Sequence, residues 1–329
     1  MKQLFVMDPL ERINVVGDST YMLMREAHER GWPVWFCEPR DLYALQGAAW
    51  ARARAVAVTA DAPYFAPGPH EEMALADVDV VWMRKDPPFD MDYVFTTYLL
   101  DLVPKTTLVL NRPSSIRNAN EKMFALEWPD LCPPTLVTRE IKRARAFAAK
   151  APDKIVIKPW DGNGGRGVLV TEDGDPNLGS MLEVLTDGER AYILVQHYLP
   201  EIAAGDKRII LVEGEALGWM LRVPQPGDHR GNMHVGALVK ACDLTERDRA
   251  ICDAIGPRLR DMGLLFVGID VIGSSMTEIN VTSPTGIQEI NRLMGLRLER
   301  TVTDAVVARW RSLIGFQAAS GDGLEAQRA

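Results

Sequence analysis

Short apolar runs of strand length recur through the first part of the chain, at residues 3–7, 34–37, 55–59, 78–83 and 107–110. Helical or loop-like stretches separate them. Asp18-Ser19 offers an N-cap for an amphipathic helix that runs through Arg30 and is closed by Gly31. Strands alternating with helices in this way predict a βαβ layer on a mostly parallel sheet. The strand exits are polar: Asp8 follows the first, and Arg84-Lys85-Asp86-Pro87-Pro88 follows the fourth. Ligands of open parallel sheets sit at such carboxyl ends. Arg84 and Lys85 are therefore candidate ligand contacts, although a surface ion pair is the commoner fate. No G-x-G-x-x-G follows the first strand, so the dinucleotide fingerprint is missing.

Asn111-Arg112-Pro113 marks a boundary, and residues 118–128 read as a helix carrying Lys122. Strands at 136–138, 154–158, 168–171 and 192–196, with helices at 140–150 and 177–185, then describe a small α+β lid. Further strands are expected at 208–212 and 217–223, before a polar loop over 224–241. Thr245-x-x-Asp248 is a capping box for a helix with Ile251, Ile255, Leu259 and Met262 on one face; Gly263 ends it and Pro257 is expected to kink it. Residues 266–272 and 276–282 form two β-branched runs around Gly273-Ser274-Ser275, a hairpin. Helix follows to about residue 313, and 315–329 is small and polar, as expected of a disordered tail. The pattern divides the chain into units 1–118, 119–202 and 203–314. There is no internal repeat.

Composition narrows the class. At 329 residues the chain exceeds one ordinary core, and a hydrophobic content of 47% supports well-packed interiors. A net charge of −8 argues against nucleic acid or an anionic membrane as partner. Cys37, Cys132, Cys242 and Cys252 are scattered, which suggests neither a zinc knot nor a disulfide framework. The N-terminus opens into a strand rather than a signal peptide, and no apolar run reaches membrane-spanning length, so a cytoplasmic location is expected.

Three stretches carry candidate chemistry. In the hairpin, a three-residue loop sets Ile272 opposite Met276 and Asp270 opposite Glu278, and the period of two puts Asn280 on the same face. Two carboxylates facing each other repel unless a cation lies between them, and hard oxygen donors suit Mg²⁺; a solvated polar sheet face is the alternative. Residues 154–167, KIVIKPWDGNGGRG, place Lys158 at a strand end before Gly162, Asn163, Gly164, Gly165 and Gly167. Glycines let a backbone fold close over phosphates, and four in six positions exceed what a turn needs. The third stretch is Gln196, which ends a strand before His197-Tyr198-Leu199-Pro200, a candidate adenine contact against a plain polar strand end. Arg208 is a candidate clamp for a transferring phosphoryl group, and Arg230-Gly231-Asn232 lies in a loop of the kind that carries binding residues. Ser283-Pro284-Thr285-Gly286 offers hydroxyls and N–H groups at a helix start, a site for a carboxylate.

In order along the chain, VDVVWMRKDPPFD, NEKMFAL, TLVT, IKPWDGNGG, DPNLG, YLPEI-x4-DKR, PQPGDHRGN, GLLFVGIDVIG and TEINVTSPTGI resemble the blocks of the ATP-grasp carboxylate–amine ligases, most closely bacterial glutathione synthetase. The likeness covers roughly residues 4–310. It implies an α/β (α+β) ATP-grasp fold behind an N-terminal Rossmann-like parallel-sheet domain. It also implies ATP-dependent ligation of γ-glutamylcysteine to glycine through an acyl phosphate. By position, Lys122, Lys158, the loop Gly162–Gly167, Gln196, His197, Tyr198, Leu199, Asp206 and Arg208 would meet ATP, with Arg208 steadying the acyl phosphate. Asp270, Glu278 and Asn280 would bind two Mg²⁺, or Mn²⁺. Lys85, Asp86, Arg230, Asn232, Asn280, Ser283 and Thr285 would meet the dipeptide acid. A homotetramer or dimer is implied as well. The chain departs from the family at 233–240, where a glycine-rich loop with an arginine is usual and Leu238 stands instead. A different amine acceptor, a non-catalytic ATP-binding module and a kinase releasing the acyl phosphate are the rival readings. Gly286, where some members have cysteine, reads as a minor change.

Overall fold

A computed structural model describes residues 1–160, 162, 164–227, 231 and 236–325, with side chains in the last helix described as far as residue 315. Three sheets organise it. The first contains β1 (Gln3–Val6), β2 (Val34–Cys37), β3 (Leu42–Leu45), β4 (Ala48–Val58), β5 (Phe65–Ala74), β6 (Val80–Met83) and β7 (Leu108–Leu110). The second contains β8 (Thr135–Thr138), β9 (Lys154–Pro159), β10 (Leu169–Glu172) and β11 (Ile193–His197). The third contains β12 (Asp206–Val212), β13 (Glu215–Val223), β14 (Leu238–Lys240), β15 (Phe266–Ile272) and β16 (Ser275–Asn280). The helices are α1 (Ser19–Glu29), α2 (Met91–Asp101), α3 (Pro113–Asn118), α4 (Ile141–Ala148), α5 (Leu178–Leu185), α6 (Glu246–Met262), α7 (Ile287–Met294) and α8 (Leu298–Glu325).

Only the centre of the first sheet, β2-β1-β6-β7, is parallel. The expectation of a mostly parallel sheet is corrected by a long antiparallel ribbon, β4 on β5, which also pairs with β2 and β3. The sequence FAPGPHEEMA conceals β5, because its prolines and glycine argue against a central strand. It is a largely exposed edge strand, where proline is tolerated.

The expected helix over 118–128 is not formed. α3 ends at Asn118, and the Asn120 side chain then accepts hydrogen bonds from the backbone N–H of Lys122 and Met123, both at 3.1 Å. Such local side-chain bonding competes with helix, and only a 3₁₀ turn, Phe124–Glu127, follows. The polar loop over 224–241 ends in an edge strand, β14, paired with β13. Segment 315–329, expected to be disordered, is helical as far as Glu325. The capping box holds: Thr245 Oγ1 accepts from Asp248 N–H at 3.1 Å and Asp248 accepts from Thr245 N–H at 2.8 Å. Gly263 closes α6 at φ +67°, a left-handed conformation that glycine adopts without strain. Pro257 lies inside the unbroken helical span.

The β15–β16 hairpin differs from expectation in its turn but not in its chemistry. Gly273 and Ser274 make the turn, so Ile272 pairs with Ser275 and Val271 with Met276. A bulge at Thr277 restores the register, and Asp270 pairs with Glu278 as the pattern requires. Thr277 Oγ1 donates to the Asp270 carbonyl at 3.2 Å. Val267, Ile269, Val271, Met276 and Ile279 are buried with Ile251, Ile255 and Leu259 of α6 in one core. Alternation sends Asp270 to the opposite face. The hydrophobic face thus fixes the hairpin, and the polar face is presented to the junction of the sheets.

Candidate active site

A cavity of about 490 Å³ opens between the second and third sheets, with Asp86 and Pro87 of the loop after β6 and the segment after β16 forming part of its wall. One end of it is built on β9 and β11. Gln196 pairs with Val156 and Leu194 with Lys158, and Val156, Lys158, Gln196, His197, Tyr198 and Leu199 all line it. The Gln196 side chain is buried and donates to Thr135 Oγ1 at 3.0 Å. The His197 ring packs on Phe147 with centroids 5.0 Å apart.

The glycine loop bounds the middle. Gly164 and Gly165 have φ of +60° and +78°, and Gly162, Gly164, Gly165 and Arg166 line the wall. A Cβ on Gly162 would lie 2.5 Å from Pro159 Cγ and 3.1 Å from the Arg166 carbonyl. Gly167 closes the turn at φ +70° without lining the cavity, and Asn163 lies outside the described residues. Lys122 is only 5% exposed, contrary to the usual snorkelling lysine, and its ammonium donates to the Gly162 carbonyl at 2.5 Å. Lys158 Nζ stands 3.7 Å from Glu278 Oε1. Two ammonium groups therefore flank backbone that can close over an anion.

At the far end the hairpin meets two buried guanidiniums. Arg208 donates from Nε and Nη2 to the two Asp270 oxygens, at 2.6 and 3.0 Å, rather than projecting freely as a clamp. Arg222 Nη2 lies 3.0 Å from Asp270 Oδ1 and also pairs with Asp206. Burial alone would raise the Asp270 carboxyl, but the two guanidiniums outweigh it and hold it well below the usual carboxylate range. Asp206 goes the other way. Burial, with repulsion from Asp270 and Glu278, pushes it up; among the described residues it has a single guanidinium contact and its Oδ1 is buried without a partner. Glu121 is raised by burial and by Glu278, and accepts from Thr282 Oγ1 at 2.9 Å.

Asp270, Glu278 and Asn280 share one wall, with the Asn280 amide 3.4 Å from Asp270 Oδ2. Among the described residues no three His, Cys, Asp or Glu side chains gather as a metal cluster, so the set is two carboxylates completed by an amide. Its donors are hard oxygens beside a cavity already bordered by ammonium groups. That combination fits a divalent cation shared with phosphates.

In the segment after β16, Ser283 Oγ donates to Asp86 Oδ1 at 2.5 Å, and Arg208 Nη1 reaches the Thr285 carbonyl at 3.3 Å. Ser283, Thr285 and Asp86 line the cavity; Lys85 does not, since its ammonium pairs with Asp8 at 3.0 Å. Arg230 and Asn232 lie outside the described residues. Three charged wall residues escaped the sequence reading: Glu121, Arg166 and Arg222. Arg222 had a signal, a lone arginine in the strand sequence EALGWMLRV, alternating with the buried Met220.

The family model for the prokaryotic glutathione synthetase N-terminal domain matches residues 1–117, and that for the ATP-grasp domain of the same enzymes matches 121–295. A glutathione synthetase of Pseudomonas syringae pv. tomato is 45% identical over 92% of this chain and 95% of its own length. One of Escherichia coli O6:H1 is 44% identical over 92% and 97%. Among solved structures, a D-cycloserine synthetase superposes with a TM-score of 0.66 at 14% identity, covering 94% of this chain and 99% of its own. A macrocyclase of Microcystis aeruginosa, bound to its precursor peptide, superposes with a TM-score of 0.62 at 17% identity, covering 94% and 100%. The structural likeness carries the fold alone, an ATP-grasp fold behind an N-terminal sheet domain. Sequence and fold together place the chain in the prokaryotic glutathione synthetase family.

Proposed function

We infer that the protein is an ATP-dependent carboxylate–amine ligase that makes glutathione from γ-glutamylcysteine and glycine, releasing ADP and phosphate. The observation that carries this is the convergence on one cavity of a glycine loop with two lysines, a carboxylate–amide set and a hydroxyl-bearing loop. The nucleotide would lie against Gln196, His197, Tyr198 and Leu199, with its phosphates under Gly162–Gly165 and between Lys122 and Lys158. Asp270, Glu278 and Asn280 would hold divalent ions, Mg²⁺ or Mn²⁺, which supply charge neutralisation for the phosphates. Ser283, Thr285 and Asp86 would receive the dipeptide acid, as would Lys85, Arg230 and Asn232 by resemblance alone. Phosphorylation of the dipeptide's terminal carboxylate makes it an acyl phosphate. The glycine amine then attacks, and phosphate leaves. Arg208 and Arg222, fixed beside Asp270 and Asp206, present positive charge without reorganising during the transfer. Water competes with glycine, so closure of the glycine loop serves to exclude it.

We further propose the division into units 1–118, 119–202 and 203–314, a cytoplasmic location, and assembly as a homodimer or tetramer. No helix among the described residues is long and apolar enough to cross a membrane. Met91, Phe95, Tyr98 and Leu102 are exposed at helical spacing on and just after α2, which supports assembly.

The test is ADP release with γ-glutamylcysteine, with and without glycine, and the product's mass. Glycine-dependent turnover giving glutathione is expected. ADP release indifferent to glycine, or dependent on another amine, overturns the assignment.

A further inference from the structure

The segment from Thr282 to Ile287 is gripped residue by residue from different parts of the molecule. Thr282 donates to Glu121, Ser283 to Asp86, and the Thr285 carbonyl accepts from Arg208. The Ile287 N–H donates to Ser19 Oγ at 3.2 Å. The remaining grip, on Pro284, comes from a residue outside the cavity wall. Arg84, at the end of β6, is 4% exposed; its Nη2 donates to the Pro284 carbonyl at 3.0 Å and its Nε to Thr20 Oγ1 of α1 at 3.0 Å. Its guanidinium lies over the Phe266 ring of β15, 5.2 Å from the centroid, and its own N–H donates to the Val6 carbonyl at 2.8 Å. Among the described residues no carboxylate comes within ion-pair distance of it, and Nη1 is buried without a partner.

A buried cation with an idle donor is costly unless it fixes something. Proline has no N–H, so the carbonyl is the only hydrogen-bonding handle on its backbone. Fixing that carbonyl fixes the plane of the Pro284–Thr285 peptide, and with it the directions of the Ser283 and Thr285 side chains on either side. We propose that Arg84 is a positioning residue for the dipeptide acid. It locks the Ser283–Thr285 loop, on the ATP-grasp side, to β6 and α1 of the N-terminal sheet, so that both halves of the substrate site act as one rigid surface.

The inference rests on Ser283 and Thr285 meeting the dipeptide, and the experiment separates the two. Apparent KM for γ-glutamylcysteine and for ATP are measured for Arg84→Met, Arg84→Lys, Thr20→Val and Ser283→Ala. Arg84→Met is expected to raise KM for the dipeptide about 10-fold while KM for ATP stays within about 2-fold. Arg84→Lys keeps the charge, but one ammonium cannot span both acceptors, so it rescues only partly. Thr20→Val loosens the guanidinium from α1 and gives a smaller rise, about 3-fold. It decides the matter if Arg84→Met fails to fold. If both KM values rise together, or neither moves, while Ser283→Ala raises the dipeptide KM, Arg84 is merely structural and the inference is overturned. If Ser283→Ala itself leaves the dipeptide KM unchanged, the substrate-loop reading fails and takes the inference with it.

Discussion

Asp270 and Glu278 face each other across one hairpin and share one proposed role, yet their surroundings predict opposite costs of removal. Asp270 is 3% exposed and takes three short contacts from two guanidiniums, which are themselves buried. Asp270→Asn leaves Arg208 with no carboxylate and turns an amide N–H toward a cation. Removing one partner of a buried pair costs roughly 3–5 kcal/mol; because Asp206 still pairs Arg222, the low end, about 3 kcal/mol, is expected. Glu278 keeps more contact with water, and Lys158 is 3.7 Å away. Such a loose pair contributes about 0–1 kcal/mol. Its negative charge also disfavours ionisation of the buried Glu121, so Glu278→Gln relieves a repulsion and should leave stability within about 0.5 kcal/mol of native. Urea unfolding of metal- and nucleotide-free protein, followed by tryptophan fluorescence, reads both. Turnover should vanish in each variant. Equal destabilisation by the two substitutions, or Asp270→Asn as stable as native, would refute the reasoning, and a nearly active Glu278→Gln would remove the metal assignment.

Two further outcomes follow from close backbone approaches. Gly162→Ala would drive a methyl against Pro159 and the Arg166 carbonyl, displacing the carbonyl that Lys122 holds; KM for ATP should rise about 10-fold with little change in the dipeptide KM, and an unchanged ATP KM would argue against the loop's role. Gly286 sits at φ +119°, and a methyl added there would lie 2.8 Å from Met220 Cε, so Gly286→Ala should cost on the order of 1–3 kcal/mol in thermal or urea unfolding. A neutral result would show that the segment relaxes freely and that a side chain at this position is the minor change its sequence context implies.

The β15–β16 hairpin was legible because alternation survives errors in the turn. The expected three-residue loop was wrong by one residue, and the bulge at Thr277 absorbed the difference, so Asp270 still met Glu278. The glycine loop was legible for a similar reason, since several of its glycines adopt φ values that other residues avoid. What stayed hidden depended on tertiary contacts. Lys122 follows Glu121 and precedes the exposed Met123, and nothing local reveals that its ammonium turns inward to Gly162. Arg208 looked free to clamp a ligand, because the sequence does not show that β12 pairs it directly with Asp270. The ribbon β4–β5 was half seen: its apolar half reads as a strand, while the proline-bearing half does not. Leu238, in the segment that departs from the family pattern, is an exposed residue of edge strand β14.

The central claim is that ATP activates the dipeptide's carboxylate as an acyl phosphate in this cavity before glycine attacks. Supplying γ-glutamylcysteine with ¹⁸O in its cysteinyl carboxylate, together with ATP and glycine, tests this directly. Transfer of one ¹⁸O into the released phosphate, matched to glutathione formed, is the result the account predicts. Phosphate free of label alongside glutathione synthesis would contradict it.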